Sequence, residues 1–323
     1  MKPSATPPRA VSVSPPMAPP RAASMPPSRL RAFFAAPALP FVAPAVIYLA
    51  LLTLFPFIYN VYLSTTRLNL ARPGQQGFVG FDNYLTLFSS DLFRVAITQT
   101  FLVAAGSITL EVVAGFFIAR LFFAIRDVFG SSLLRTIFIL PMMLTPVVSG
   151  LLWSYILNPT LGIANYLLDA VGLPTFAWFS SANTALITLI AVNSWQWGPF
   201  LMLLMLAGLL SIEREQYEAA ELDGARWYHV VRAIELPAIR NVLLIGLILR
   251  LIDNFRLFDV VYAATKGGPG TATEVVSMFA FRQIFSFFNV GYGAAASVVI
   301  LFMGVMLTSF AVRLLRREDS HVR

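Results

Sequence analysis

The stretch EAAELDGARWYHVVRAIELP, Glu218–Pro237, is charged and helical in pattern, yet it lies between apolar runs long enough to cross a bilayer. Six of the chain's sixteen acidic residues fall between Glu213 and Glu235, so this segment has to sit in water or against another protein. At about 100° per residue, Trp227, Val230, Val231 and Ile234 share one arc and Arg226, His229, Arg232 and Glu235 the other, as in an amphipathic helix. A shorter helix is predicted before it, with Ser211 as N-cap and Glu213 and Glu215 in the first turn, where negative charge suits the helix dipole. Gly224 separates the two helices, and Pro237 is expected to stop the second. Ala219 and Ala220 leave a face without bulk, open to close approach by another backbone. A loop lying flat on the headgroups, its Trp and Val face in lipid, satisfies the same amphipathic pattern.

Outward from this segment the chain is membrane material. Of its 323 residues 58% are hydrophobic and 12% charged, with mean hydropathy +0.74, against roughly 25% charged in soluble domains. Lipid offers the backbone no hydrogen-bond partners, so a span is a helix of about 20 mainly apolar residues. Six are predicted, at roughly 39–63, 95–123, 134–157, 184–210, 239–263 and 289–314. Pro56, Pro141, Pro146 and Pro199 fall inside them and predict kinks. Arg and Lys concentrate in the N-terminal tail, at Arg120, Arg126 and Arg135, from Arg214 to Arg240, and from Arg313 onward. The positive-inside rule therefore places both termini and the Glu218 segment in the cytoplasm.

The expected organisation is a disordered, Pro-rich cytoplasmic tail over 1–30, a six-helix transmembrane domain over 31–317 with a cytoplasmic loop at 211–238, and a short cytoplasmic tail over 318–323. An organellar transit peptide shares the tail's Arg-rich, acid-poor bias, but its prolines break the amphipathic helix such a peptide needs. No internal repeat is visible, against a transporter of duplicated halves. Cysteine is absent, which excludes disulfides and thiolate metal sites. The net charge of +7 forms no stripe, so no nucleic-acid partner is expected. His229 and His321 have no ligand-spaced companions, so no metal site or catalytic triad is expected.

Within the fifth span Arg250, Asp253, Arg256 and Asp259 recur at three-residue steps. Each charge at mid-bilayer costs about 3 kcal/mol or more, so they face protein or water. They form either a solute path or a self-neutralising ladder in a packed interface. Glu111 in the second span fits a solute ligand, but reads better as a hydrogen-bonding tie to a neighbouring helix.

The spacing Glu-Ala-Ala, three residues, Gly, nine residues, Ile, one residue, Leu-Pro is met by Glu218, Ala219, Ala220, Gly224, Ile234, Leu236 and Pro237. It resembles the signature loop of the permease subunits of bacterial ABC importers that depend on a solute-binding protein. NFRLFDVVYAATKGGPG (Asn254–Gly270), VNSWQWGPFLMLLMLAGLL (Val192–Leu210) and FILPMMLTPVVSGLLW (Phe138–Trp153) resemble the carbohydrate-uptake group, in particular the first permease of maltose, glycerol-phosphate and polyol systems. The likeness covers about 40 to 317. It implies an all-α, polytopic membrane protein with the type I ABC importer permease core, in a bacterial inner membrane. The extra helices and outer domain of the maltose member are lacking here, so the six-helix plan is nearer the glycerol-phosphate and polyol types.

The resemblance also implies function. Glu218, Ala219, Ala220, Asp223 and Gly224 would couple to two copies of a cytoplasmic ABC ATPase. A second permease, a different chain, and an external solute-binding protein would complete the importer of a carbohydrate, polyol or sugar phosphate. No GxxxxGK[ST] loop is present and the only lysines are Lys2 and Lys266, so no cofactor is expected in this chain, ATP and Mg belonging to the partner. Gln196, Trp197, Phe200, Asn254 and Arg256 are the implied solute contacts. Trp197 departs from the family, which has a small residue there, and implies a shorter solute. Residues 274–287 are expected as a short outer-surface helix on which the binding protein rests. A membrane-embedded enzyme acting on a lipid-linked sugar would need clustered acidic or His residues at a membrane face, and none lie outside the Glu218 loop. A scaffold protein gives no reason for Gly224 and Leu236-Pro237 at those spacings.

Overall fold

A computed structural model describes residues 39–319. The predicted tail over 1–30, residues 320–323 of the predicted C-terminal tail, and His321 with them, lie outside the described residues. The chain divides into two compact units, Met1–Pro56 and Phe57–Arg323. Of the first, the described part is the start of helix α1 (Leu39–Ser64), whose Tyr48, Leu51 and Leu52 are exposed. Pro56 lies within this helix without ending it.

The second unit continues with α2 (Asp82–Ser89) and α3 (Asp91–Ala124). The Ser90 hydroxyl caps α3, accepting from the Phe93 amide. α4 (Ser131–Ile139), a 3₁₀ turn (Leu140–Met143) and α5 (Pro146–Ile156) follow, then α6 (Ile163–Ala170) and α7 (Ala182–Leu210). α8 (Arg214–Leu222) and α9 (Trp227–Val230) lead through a π-helical turn (Val231–Glu235) into α10 (Leu236–Phe255). α11 (Asp259–Ala264), α12 (Val276–Phe281), a second π-helical turn (Arg282–Ser286) and α13 (Val290–Asp319) complete it. Among the described residues there are no strands, only bridges between Thr66 and Phe78 and between Asn69 and Asn289.

Among the described residues, four helices are long and apolar enough to span unaided: Val42–Ser64, Asp91–Ala124, Ala182–Leu210 and Val290–Phe310. The third predicted span is broken. Ser131–Met143 and Pro146–Ile156 meet at 99°, and Pro141 and Pro146, each without an amide hydrogen, bracket the break. Pro199, in contrast, sits inside an unbroken α7. The fifth predicted span ends early: α10 stops at Phe255, and the chain restarts as α11 at Asp259. Among the described residues, length and apolarity alone therefore support four spans, or five if the bent pair is one, and do not by themselves establish six.

α3 and α7 pack closely because Gly115 lets them: a Cβ there would lie 2.9 Å from Met205 Cε and 3.3 Å from the Met202 amide nitrogen. Around this approach Phe116, Phe122, Met202, Met205 and Leu209 bury against Ile239 of α10. At the other end of α3, Phe93 and Ala96 pack with Phe279 and Ala280 of α12 and Ala296 of α13. The segment 274–287 does contain the expected short helix, over Val276–Phe281 and the π-helical turn after it, but its first half is not at a surface. Glu274, Val275, Val276 and Phe279 are almost wholly buried, with Val276 and Phe279 packed against α3 and α13, while Phe285 and Phe287 are exposed.

Candidate functional site

The conspicuous surface feature is the Glu218 segment. No residue of α8 is buried, and Leu222 is 89% exposed. α8 ends in a Schellman motif: the Ala225 amide donates to the Ala220 carbonyl at 2.9 Å and the Gly224 amide to Glu221 at 3.0 Å. Gly224 separates the two helices as expected, and does so at φ +67°, the left-handed region that favours glycine. Two local expectations are corrected. Ser211 does not cap α8; it ends α7, its hydroxyl donating to the Gly208 carbonyl at 2.7 Å, and Glu213 holds the N-cap position. Pro237 does not stop the second helix, because it falls in the first turn of α10, where its missing amide costs nothing, and the π-helical turn carries the chain into it.

That turn also moves Glu235 off the predicted polar arc. Its side chain is 3% exposed and lies 2.8 Å from Arg120 Nε on α3. Burial raises the Glu235 pKa, and Arg120 opposes the shift. Close by, the Tyr217 ring of α8 packs on Phe123 of α3, with centroids 5.6 Å apart. Burial, with the Glu235 charge second, pushes the Tyr217 hydroxyl up to about 12. Arg120, Glu235 and Tyr217 were absent from the expected site. For Arg120 and Glu235, opposite charges near the ends of two predicted spans were the one visible signal; Tyr217 carried none.

Deeper in the bundle, Arg250 of α10 donates from Nε and Nη2 to both oxygens of Glu111 on α3, at 2.7 and 2.6 Å. Its Nη1 reaches Asp253, and the guanidinium lies 5.0 Å from the Trp197 ring centroid on α7. Glu111 is therefore the inter-helix tie expected of it. The ladder over Arg250, Asp253, Arg256 and Asp259 is not continuous, because α10 ends at Phe255, before Arg256, and only Arg250 and Asp253 pair within it.

The expected solute contacts divide accordingly. Asn254 is buried, donating to the Arg250 carbonyl and accepting from Asn193 of α7 at 3.0 Å. Gln196, fully buried, donates to the Leu144 carbonyl at 2.8 Å and so satisfies a backbone group freed by the helix break. Phe200 packs with the apolar cluster around Met202 and Phe116. Trp197 lies against Arg250. Arg256 alone of the five is exposed, at a cleft of about 620 Å³ between α10 and α13 that Ser277, Ser297 and Thr308 also line. Among the described residues no cluster of His, Asp or Glu could hold a metal ion.

The family described as "Binding-protein-dependent transport system inner membrane component" matches residues 111–319. The chain belongs to this family. It is the membrane-embedded permease subunit of an ABC importer, a transport component rather than an enzyme, and the lipid-linked-sugar reading finds no support. A probable ABC transporter permease of Sinorhizobium fredii is 34% identical over 278 residues, 85% of this chain and 89% of the relative. The sulfoquinovosyl glycerol transport system permease of Agrobacterium fabrum is 32% identical, covering 86% and 90%. The trehalose transport system permease of Mycobacterium tuberculosis is 33% identical, covering 80% and 82%. Among solved structures, a bacterial alginate ABC importer matches with a TM-score of 0.75 at 23% identity, over 89% of this permease and 96% of that chain, a likeness of fold.

Proposed function

We propose that this permease moves a carbohydrate, polyol or sugar phosphate inward, driven by two copies of a cytoplasmic ABC ATPase that grip α8. The observation that carries the reading is α8 itself, a helix with no buried residue, ended by the Gly224 turn and presenting Ala219 and Leu222 to solvent. Asp223 at its C-cap adds negative charge to the negative end of the helix dipole, which favours a basic group on the partner. ATP and Mg belong to that partner, and this chain needs no cofactor of its own. Both termini and α8 lie in the cytoplasm, with α10 as a sixth span whose Arg250 is neutralised inside the bundle.

The solute class rests on relatives that are named for trehalose and sulfoquinovosyl glycerol. A second permease of different sequence would close the path beside Arg256 and Trp197, and a solute-binding protein would deliver from outside. Co-purification tests the assembly: the ATPase should leave when Ala219 is made bulky, as in Ala219→Trp. Stimulation of ATP hydrolysis in liposomes, screened over sugars, polyols and sugar phosphates with the binding protein, tests the solute. An ATPase that stays bound to Ala219→Trp refutes the docking face.

A further inference from the structure

Glu235 fills the one open position in the Ile234-x-Leu236-Pro237 ending, so nothing in that spacing calls for an acid there. It is nevertheless buried and paired with Arg120 of α3. On α3, Arg120 stands nine residues beyond Glu111, a rise of about 13 Å. Along the helix that runs into α10, Glu235 precedes Arg250 by fifteen residues, about 22 Å. The pairs are met in opposite chain order, so α3 and α10 run antiparallel and are fastened at two levels, with the base on α3 at one and on α10 at the other.

α10 is joined to the coupling segment by the backbone, through α9 and the π-helical turn. α3 is not; it meets the coupling segment through side chains, Arg120 with Glu235 and Phe123 with Tyr217. A displacement of α8 therefore reaches α10 along the chain, whereas α3 receives it only across side-chain contacts, of which this joint lies nearer α8 in the chain than the Glu111–Arg250 pair.

We propose that the two ion pairs make α3 and α10 a single rigid lever, and that Arg120 and Glu235 are positioning residues carrying the motion of α8 into α3. This rests on the reading of α8 as the ATPase-docking helix. The test uses the assembled importer in liposomes, with spin labels at the exposed positions Leu102 on α3 and Leu249 on α10. Distances are compared between the nucleotide-free complex and the complex trapped with Mg-ATP and vanadate. In the parent the distance should be the same in both states. In Glu235→Gln and Arg120→Gln it should shift or broaden on trapping, while hydrolysis persists and its stimulation by the binding protein drops about fivefold or more. Arg120→Glu combined with Glu235→Arg should restore both. A parent distance that itself changes, a Gln variant that behaves as the parent, or failure of all three variants to assemble overturns the lever. Failure of the ATPase to bind the parent would instead overturn the docking of α8.

Discussion

Glu111 and Arg250 stand 139 residues apart in the chain and meet through two parallel hydrogen bonds, with both side chains all but closed to solvent. A bidentate pair of this kind is favourable only while both partners remain, because either charge alone would be stranded in a low-dielectric interior. Arg250→Met should therefore cost about 3–5 kcal/mol, the penalty for an orphaned buried charge. Glu111→Gln added to it should recover most of that loss. Thermal unfolding in detergent reads both, and a single variant as stable as the parent would refute the account.

Asn254 and Arg256 are two residues apart, yet the structure assigns them opposite costs. Asn254 is buried in hydrogen bonds to Asn193 and the Arg250 backbone, so Asn254→Ala should destabilise the fold by about 1–3 kcal/mol, the penalty for unsatisfied buried partners. Arg256 is exposed at the α10–α13 cleft, so Arg256→Ala should leave stability within about 0.5 kcal/mol, as is usual for surface changes, while lowering uptake. Melting curves beside solute uptake in vesicles separate the two. Equal melting losses would put Arg256 inside the packed interior and not at the path.

At Gly224 a Cβ would meet nothing within 4 Å, so the constraint there is the backbone and not space. Gly224→Ala should cost about 1–2 kcal/mol, the left-handed penalty of an L-residue. Gly224→Asn, which tolerates that region, should cost less. ATPase retention on affinity resin should then rank Gly above Asn above Ala. If Asn is as poor as a bulky residue at Ala219, the partner presses directly on the turn.

How far the molecule was legible in its residues depended on the range of each interaction. The Gly224 turn and the exposure of α8 were readable because both follow from a few consecutive residues. The bend at Pro141 and Pro146 was readable as a kink, but its 99° angle depends on what α5 packs against: a Cβ at Gly150 would lie 2.9 Å from the Val260 carbonyl. The pairing of Arg120 with Glu235 was not readable, because no local pattern joins residues on different helices and the π-helical turn shifts the phase that had put Glu235 on the outer arc. The burial of Val276 and Phe279 was missed because apolar residues look alike whether they face lipid, an outer surface or the core.

Glu235 makes a prediction in which stability and coupling move in opposite directions. Burial raises its pKa above the ordinary 4.5 despite the attraction of Arg120, so in the folded state the carboxylate is harder to form than in the unfolded chain. By linkage, a raised acid contributes stability that is fully present below the unfolded pKa and is lost as pH rises through the folded one. Glu235→Gln, which has the same shape and no charge, should therefore raise the melting temperature at neutral pH and leave it nearly unchanged near pH 4, where the parent side chain is itself protonated. Arg120 is partly exposed and can turn to water, so it does not share the fate of the enclosed Arg250. If the ion pair exists to transmit force, the same variant loses stimulation of the ATPase by the binding protein while gaining stability. A melting temperature that falls at neutral pH would mean that the pair is held for the fold alone.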